Sequence, residues 1–292
     1  MKEGKPSISA EVGAIIRNNE TKKPENERLC YDPIAIVFIR KTGRILGKIP
    51  PIRQFAHWYI EKRHPFLFDC HSARTRYIDE YVNRCIGEGI EQLVILGAGY
   101  DSRAYRMEHL KEKVRIFEID LPAIQMRKKE QLKEIINPLP SNVTYISIDF
   151  NTQTLGQRMF QSDYDKNKKS LFLWEGVTPY LTAEAVDETL QFVSENSPPD
   201  SSLLFTYILK SMVDGRCQLK EAATIRKAFD IEGLKFGIEE GTIESFMSER
   251  GFHQIDEISG DYYESKYFTG VNRNRKGCCL CRVVSAKVKS SK

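Results

Sequence analysis

Residues 93–102, Leu-Val-Ile-Leu-Gly-Ala-Gly-Tyr-Asp-Ser, constrain this chain more than any other stretch. Four apolar residues run without a break into Gly97-Ala98-Gly99. A short apolar run closed by a turn signal reads as a buried strand. A Gly-x-Gly turn directly after such a strand has the shape of a nucleotide-binding first loop, because glycine lets the backbone come close to a ligand. A dinucleotide site requires a third glycine at the position of Ser102, so that the following helix packs closely and its N-terminus meets the pyrophosphate. That glycine is absent, and Asp101 stands beside the turn. A carboxylate there disfavours phosphate. It suits a nucleoside that carries positive charge and no phosphate.

The rest of the chain builds an α/β frame around this turn. Ile78, Tyr81, Val82 and Cys85 recur at helical spacing, and Gly87 and Gly89 end that helix. Strands are predicted at 92–96, 114–119, 143–149, 170–174 and 203–209, with further strands at about 252–258 and 278–284. Asp120 and Pro122 can cap and open a helix running to about Ile136. Thr182 can cap another, with Val186, Leu190 and Val193 on one face. Strands alternating with helices predict a doubly wound, mostly parallel seven-stranded sheet. The last two strands lack a long helix between them, which predicts an antiparallel edge. Three apolar segments, near 9–18, 33–39 and 51–62, precede the frame and predict an N-terminal helical cap over residues 1–70, with the nucleotide-binding core at 71–292.

In a sheet of this kind the ligand lies at the carboxyl ends of the strands. The informative residues gather there: Gly97, Ala98, Gly99 and Asp101 after strand one, Glu118 and Asp120 at strand two, Asp149 and Phe150 at strand three, and Glu175 and Gly176 at strand four. A carboxylate at the end of strand two accepts from ribose hydroxyls. Asp120 lies about 20 residues past Gly97, the spacing expected for that contact, although Glu118 has the same parity. Asp149 can accept from an adenine amino group and Phe150 can cover the ring. Glu175 can meet an ammonium group. A carboxylate on the ligand wants a guanidinium, and Arg74, Arg76 and Arg103 flank the loop.

These residues together resemble the leucine carboxyl methyltransferase family in its wider form, which includes polyketide-type O-methyltransferases. The resemblance rests on Arg17, on Arg28-Leu-Cys-Tyr-Asp-Pro33, on Ala73-Arg-Thr-Arg76, on the run from Leu96 to Arg106, on Phe117-Glu-Ile-Asp-Leu-Pro122 and on Glu175-Gly-Val-Thr-Pro-Tyr-Leu181. It implies S-adenosyl-L-methionine as cofactor and methyl transfer to an oxygen. It implies that Arg74 binds the methionine carboxylate, Asp120 the ribose, Asp149 the adenine side and Glu175 the amino group. Tyr180 and the N-terminal helices would face the acceptor, with Tyr180 orienting it. The segment from Arg28 to Pro33 is closer to the polyketide-type members than to those acting on protein C-termini. A small-molecule acceptor is therefore expected, with a protein C-terminal carboxylate as the alternative.

Composition narrows the remaining classes. A formal charge of +4 over 292 residues is too small to argue for nucleic acid. The longest apolar run is far shorter than a membrane span, so no membrane partner is expected, and no secretory signal is evident at the N-terminus. Seven irregularly spaced cysteines suit a reducing, cytoplasmic setting better than a disulfide framework. His57, His64 and His71 lie two helical turns apart, too far for joint ligation, and Cys278, Cys279 and Cys281 lack a second pair, so no metal is expected. Two rivals remain: a nicotinamide-dependent oxidoreductase, which the missing third glycine disfavours, and a catalytically silent nucleoside-binding module, which has no need of acids at each strand end. The oligomeric state is not legible in the sequence.

Overall fold

A computed structural model of the chain describes residues 8–63, 66–150, 152–218, 222 and 233–290. Among them, seven strands form a single sheet in the order β3-β2-β1-β4-β5-β7-β6. The strands are β1 (Gln92–Leu96), β2 (Arg115–Asp120), β3 (Val143–Ser147), β4 (Ser170–Trp174), β5 (Ser202–Ile208), β6 (Phe252–Ile258) and β7 (Cys281–Val288). Strands β1 to β5 pair in parallel. The inverted strand is β7, which lies one place in from the edge and pairs antiparallel with both β5 and β6.

The all-apolar strands arise because both faces of the sheet are covered. Alternate residues of β1 enter different cores. Leu93 and Ile95 pack with Ile78 and Val82, and with Ala14 and Phe38 from the N-terminal segment. Val94 and Leu96 pack with Val186, Leu190 and Val193 of the helix Ala183–Glu195. Thr182 caps that helix as the sequence predicts, accepting from the Ala185 amide. Four N-terminal helices are α1 (Ile8–Thr21), α2 (Lys41–Leu46), α3 (Pro50–Arg63) and α4 (Leu67–Gly87), so α4 runs unbroken through position 70. The predicted helix at 33–39 is a 3-10 turn, Ala35–Phe38.

Several boundaries move for local reasons. β3 ends at Ser147, so Asp149 and Phe150 lie in the turn beyond it. There the Asp149 carbonyl accepts from the Thr152 and Gln153 amides, which bends the chain out of the sheet. The helix after β2 begins at Pro122 with Leu121, not Asp120, as its N-cap, and ends at Leu132 where tight turn bonds take over at Glu134 and Ile135. β7 starts later than predicted because Gly277 and Cys278 press against the Gly260 backbone. Regular pairing with β5 begins only at Cys281, opposite Ile208.

This register sets the site. Leu96 lies opposite Ile119, and Ile95 opposite Leu173. The tips of β1, β2 and β4 are therefore level. The strand order reverses between β1 and β4, which opens a crevice at their carboxyl ends.

Candidate active site

The glycine turn is fixed by sterics and by one carboxylate. Gly97 and Gly99 have φ of +67° and +39°, a region that costs other residues strain. A Cβ on Gly97 would also meet Val177 Cγ2 at 2.3 Å. Asp120 holds the turn from below: its carboxylate accepts from the Gly99 amide at 2.5 Å and from the Leu121 amide at 2.7 Å. The buried Ala98 donates its amide to the Ile119 carbonyl at 2.8 Å. Burial pushes the Asp120 carboxyl up, and the two amides and the Lys128 charge only partly offset this.

The structure separates the two acids that parity could not. Glu118 is buried one turn of the pleat behind the tip and is paired with Lys128 at 2.9 Å. Lys128 reaches on to the Ala98 carbonyl at 3.4 Å, tying the helix Pro122–Leu132 to the glycine turn. Glu118 is thus spent inside the fold, and Asp120 is the acid at the crevice.

On the other side of the turn the charges interlock. Arg74, from α4, pairs with Glu175 at 2.8 Å, and Arg103 reaches the second oxygen of Glu175 at 3.3 Å. Arg103 also binds Asp79 at 2.8 Å and forms a short ion pair with Asp101. Asp101 is therefore not a bare charge beside the turn: its carboxylate holds the Arg103 side chain and accepts from the Arg103 amide at 2.8 Å. Asp79 also accepts two bonds from Arg106, at 2.7 and 2.8 Å. Above the loop, Arg17 joins Asp32 at 2.8 Å and the Tyr100 carbonyl at 2.7 Å, and Ser102 donates to Asp32 at 2.6 Å. The N-terminal helix α1 is thereby fastened to the loop, with Ala10 beside Gly99.

These charges set protonation. Burial alone would raise the Glu175 carboxyl, but Arg74, Arg103 and His71 hold it well below the usual 4.5. Burial, with the Arg74 charge beside it, pushes the His71 imidazole down to about 3, so it is neutral at pH 7.

Of the remaining predicted residues, Asp149 and Phe150 follow β3 beside the same row of strand ends. The Ile148 amide donates to the Asp120 carbonyl at 3.0 Å, which sets Asp149 and Phe150 next to the tip of β2. Phe150 is partly buried against the core beneath the sheet. After β4, Gly176 has φ of +73°, and its amide donates to Thr206 at 2.7 Å. A Cβ there would meet nothing within 4 Å, so open space lies at the end of β4. Tyr180 closes the following 3-10 turn, Thr178–Tyr180, and is half-buried. Sequence reasoning missed Asp79 and Lys128 as parts of this site, saw Val177 only within the motif Glu175–Leu181, and left Arg103 undecided. Asp32 was visible only as part of a motif. Asp79 carries no local signal, since it is one acid among several on α4.

The described residues contain no group of three His, Cys, Asp or Glu side chains able to hold a metal ion. His64 and the His57 side chain lie outside the described residues. No described helix is long and apolar enough to cross a membrane.

A level row of strand ends with a glycine turn, an acid at the tip of β2 and an inverted β7 inserted between β5 and β6 defines the class I methyltransferase fold. A methyltransferase structure from Thermobifida fusca YX, assigned provisionally, superposes with a TM-score of 0.60 at 15% identity, covering 99% of this chain and 97% of that one. The carbon methyltransferase CurJ superposes with a TM-score of 0.52 at 13% identity, covering 97% of this chain and 69% of that one. At such identities the likeness speaks for fold alone. The chain belongs to the leucine carboxyl methyltransferase family, whose model matches residues 10–194. Among its relatives is YktD of Bacillus subtilis (strain 168), provisionally named an S-adenosyl-L-methionine-dependent methyltransferase. It is 28% identical over 206 residues, or 70% of this chain and 66% of YktD. A relative from Mycobacteroides abscessus, named in the same provisional way, is 30% identical over 197 residues, or 64% of this chain and 62% of its own length. The match thus spans less than two thirds of either relative.

Proposed function

We propose that this chain is an S-adenosyl-L-methionine-dependent methyltransferase that acts on an oxygen of a small acceptor. The observation that carries the reading is the division of charge around one glycine turn. Among the described residues, Asp120 stands on one side with the Gly99 and Leu121 amides as hydrogen-bond donors, and the Arg74–Glu175 pair stands on the other. The first suits ribose hydroxyls. The second suits the carboxylate and ammonium of an amino acid. Open space lies next to Glu175, at Gly176. Asp149 and Phe150 would meet the adenine. Bound there, the cofactor supplies an electrophilic methyl group on a sulfonium.

The protein's share of the chemistry is then proximity and alignment, which can supply several kcal/mol of a barrier. Gly97 and Gly99 let the backbone approach, and Val177 and α1 cover the turn against water. An alcohol acceptor needs a base. His71 is a poor one, since its imidazole is held down at about 3. Tyr180 would orient the acceptor oxygen. A group already ionised at neutral pH, a carboxylate or an acidic phenol, needs no base and fits this site best. The family's description, leucine carboxyl methyltransferase, supports a second reading, in which the acceptor is a leucine carboxylate, as at the C-terminus of a protein.

A transfer screen with radiolabelled methyl separates these readings. Aliphatic and aromatic carboxylic acids, phenols, alcohols and peptides ending in leucine would be offered in parallel. Label in small carboxylic acids or acidic phenols is the expected result. Label in peptides alone would replace the small-acceptor reading with the second, and label only in nitrogen or carbon acceptors would overturn oxygen transfer.

A further inference from the structure

Helices α2 and α3 stand apart from the rest of the fold. α2 buries no residue, and along α3 every described side chain is exposed except the half-buried Ile60. Yet the pair is rich in large apolar groups. Of the twelve exposed large hydrophobic side chains among the described residues, seven lie between Ile45 and Tyr59. Phe55 and Trp58 are 64% and 53% exposed. Phe55 forms the centre of an aromatic cluster, 5.8 Å from the Trp58 ring and 6.3 Å from the Tyr59 ring. Clusters of this size on a surface mark something that covers them.

Charge identifies the cover. Residues 41–63 carry six Lys or Arg and one acid, Glu61, so this segment alone holds net +5 in a chain whose whole formal charge is +4. Lys62 lies over the Trp58 ring at 5.1 Å. Lys22, at the foot of α1, lies near enough to Arg53 to feel its charge. With Arg44 neutralised by Glu134, a second copy docking the same face would still oppose about +4 to +4, which like-charge repulsion disfavours. An anionic lipid surface satisfies both features. Tryptophan and tyrosine settle at headgroup level, apolar side chains enter the acyl boundary, and cations meet the anionic headgroups. At the base, Arg40 and Arg44 pair with Glu11 and Glu134, each at 2.8 Å, which ties the pair to segments that border the glycine turn.

We propose that α2 and α3 form an interfacial anchor by which this protein docks reversibly on anionic lipid. The helices lie on the bilayer and do not span it. The sequence expectation of no membrane partner considered only a span, and the patch becomes visible once the structure shows these apolar residues to be uncovered. The inference is independent of methyl transfer.

The chain provides its own reporter. It has two tryptophans. Trp174 is fully buried, while Trp58 lies in the aromatic cluster. Titrating the full chain with phosphatidylcholine–phosphatidylserine vesicles should shift tryptophan emission to the blue, and the protein should float with the vesicles. Phosphatidylcholine alone should give little of either, and raised salt should reverse both. Lys48→Gln and Arg53→Gln should each weaken partitioning about fivefold, and Phe55→Ser with Tyr59→Ser should abolish the shift. All four side chains are exposed, and an unchanged melting temperature would confirm that the variants fold. The proposal is overturned by no shift with anionic vesicles, by equal binding to neutral ones, by cation variants that bind like the parent, or by sedimentation showing Trp58 buried in a dimer without lipid.

Discussion

Replacing Asp120 by asparagine tests the site with the least change in shape. The carboxylate accepts two backbone bonds, from Gly99 at 2.5 Å and Leu121 at 2.7 Å. The amide keeps one oxygen and turns an NH2 toward the other donor. One charge-assisted bond is lost and one buried N–H is left unpaired, a cost of about 2–3 kcal/mol in stability. The ribose contact loses its charged acceptor as well, about 1.5–3 kcal/mol, which is roughly 10- to 150-fold in affinity. Calorimetric titration with S-adenosylhomocysteine, adenosine and methionine, each alone, resolves the contact. S-adenosylhomocysteine and adenosine should weaken together, with methionine unaffected. The reasoning fails if a folded, destabilised Asp120→Asn protein binds adenosine as the parent does, because the carboxylate would then serve only the turn.

Other substitutions probe the parts around it. Gly97→Ala faces both a left-handed φ of +67° and the Val177 methyl, and should cost about 2–5 kcal/mol in urea unfolding. Adding Val177→Ala should recover the steric share and leave the backbone share; no recovery would show that Val177 is not the obstacle. Breaking the buried pair with Glu118→Gln should cost about 3–5 kcal/mol, and the double variant Glu118→Gln/Lys128→Met should restore most of it. Neither should change the affinity for adenosine measured on folded protein, and a change in the double variant would return Glu118 to the binding site. The pH dependence carries two signs. Glu175 is depressed in the fold, so its stabilisation is complete above its ordinary 4.5 and is lost as the pH falls further. Stability should therefore drop more steeply below pH 4.5 in the parent than in Glu175→Gln, measured by urea unfolding. Asp120 is raised above its ordinary 3.8, so adenosine affinity should begin to fall on acidification before an ordinary aspartate would titrate.

What the sequence disclosed followed from short-range rules. β1 and β4 lie at the residues their apolar runs predict, because a buried strand bounded by turn residues has little freedom. The glycine turn was legible because only glycine tolerates its φ values and the close approach of Val177. The choice between Glu118 and Asp120 was not, since parity is the same for both and only the reach of Lys128 from the next helix decides it. The ion-pair network was equally hidden: Arg103 meets Asp79, Asp101 and Glu175 from three segments. β7 was displaced by a backbone contact between Gly260 and Gly277 that no periodicity records. The aromatics of α3 read in sequence as part of a cap packed on the frame, because apolar spacing does not say whether a partner lies within the chain.

The cofactor is the point on which everything else rests. Titrating the chain with S-adenosylhomocysteine and, separately, with NADH should give saturable heat for the first and none for the second. Binding of NADH without S-adenosylhomocysteine would contradict the reading of the Gly97–Asp120 crevice and the function built on it.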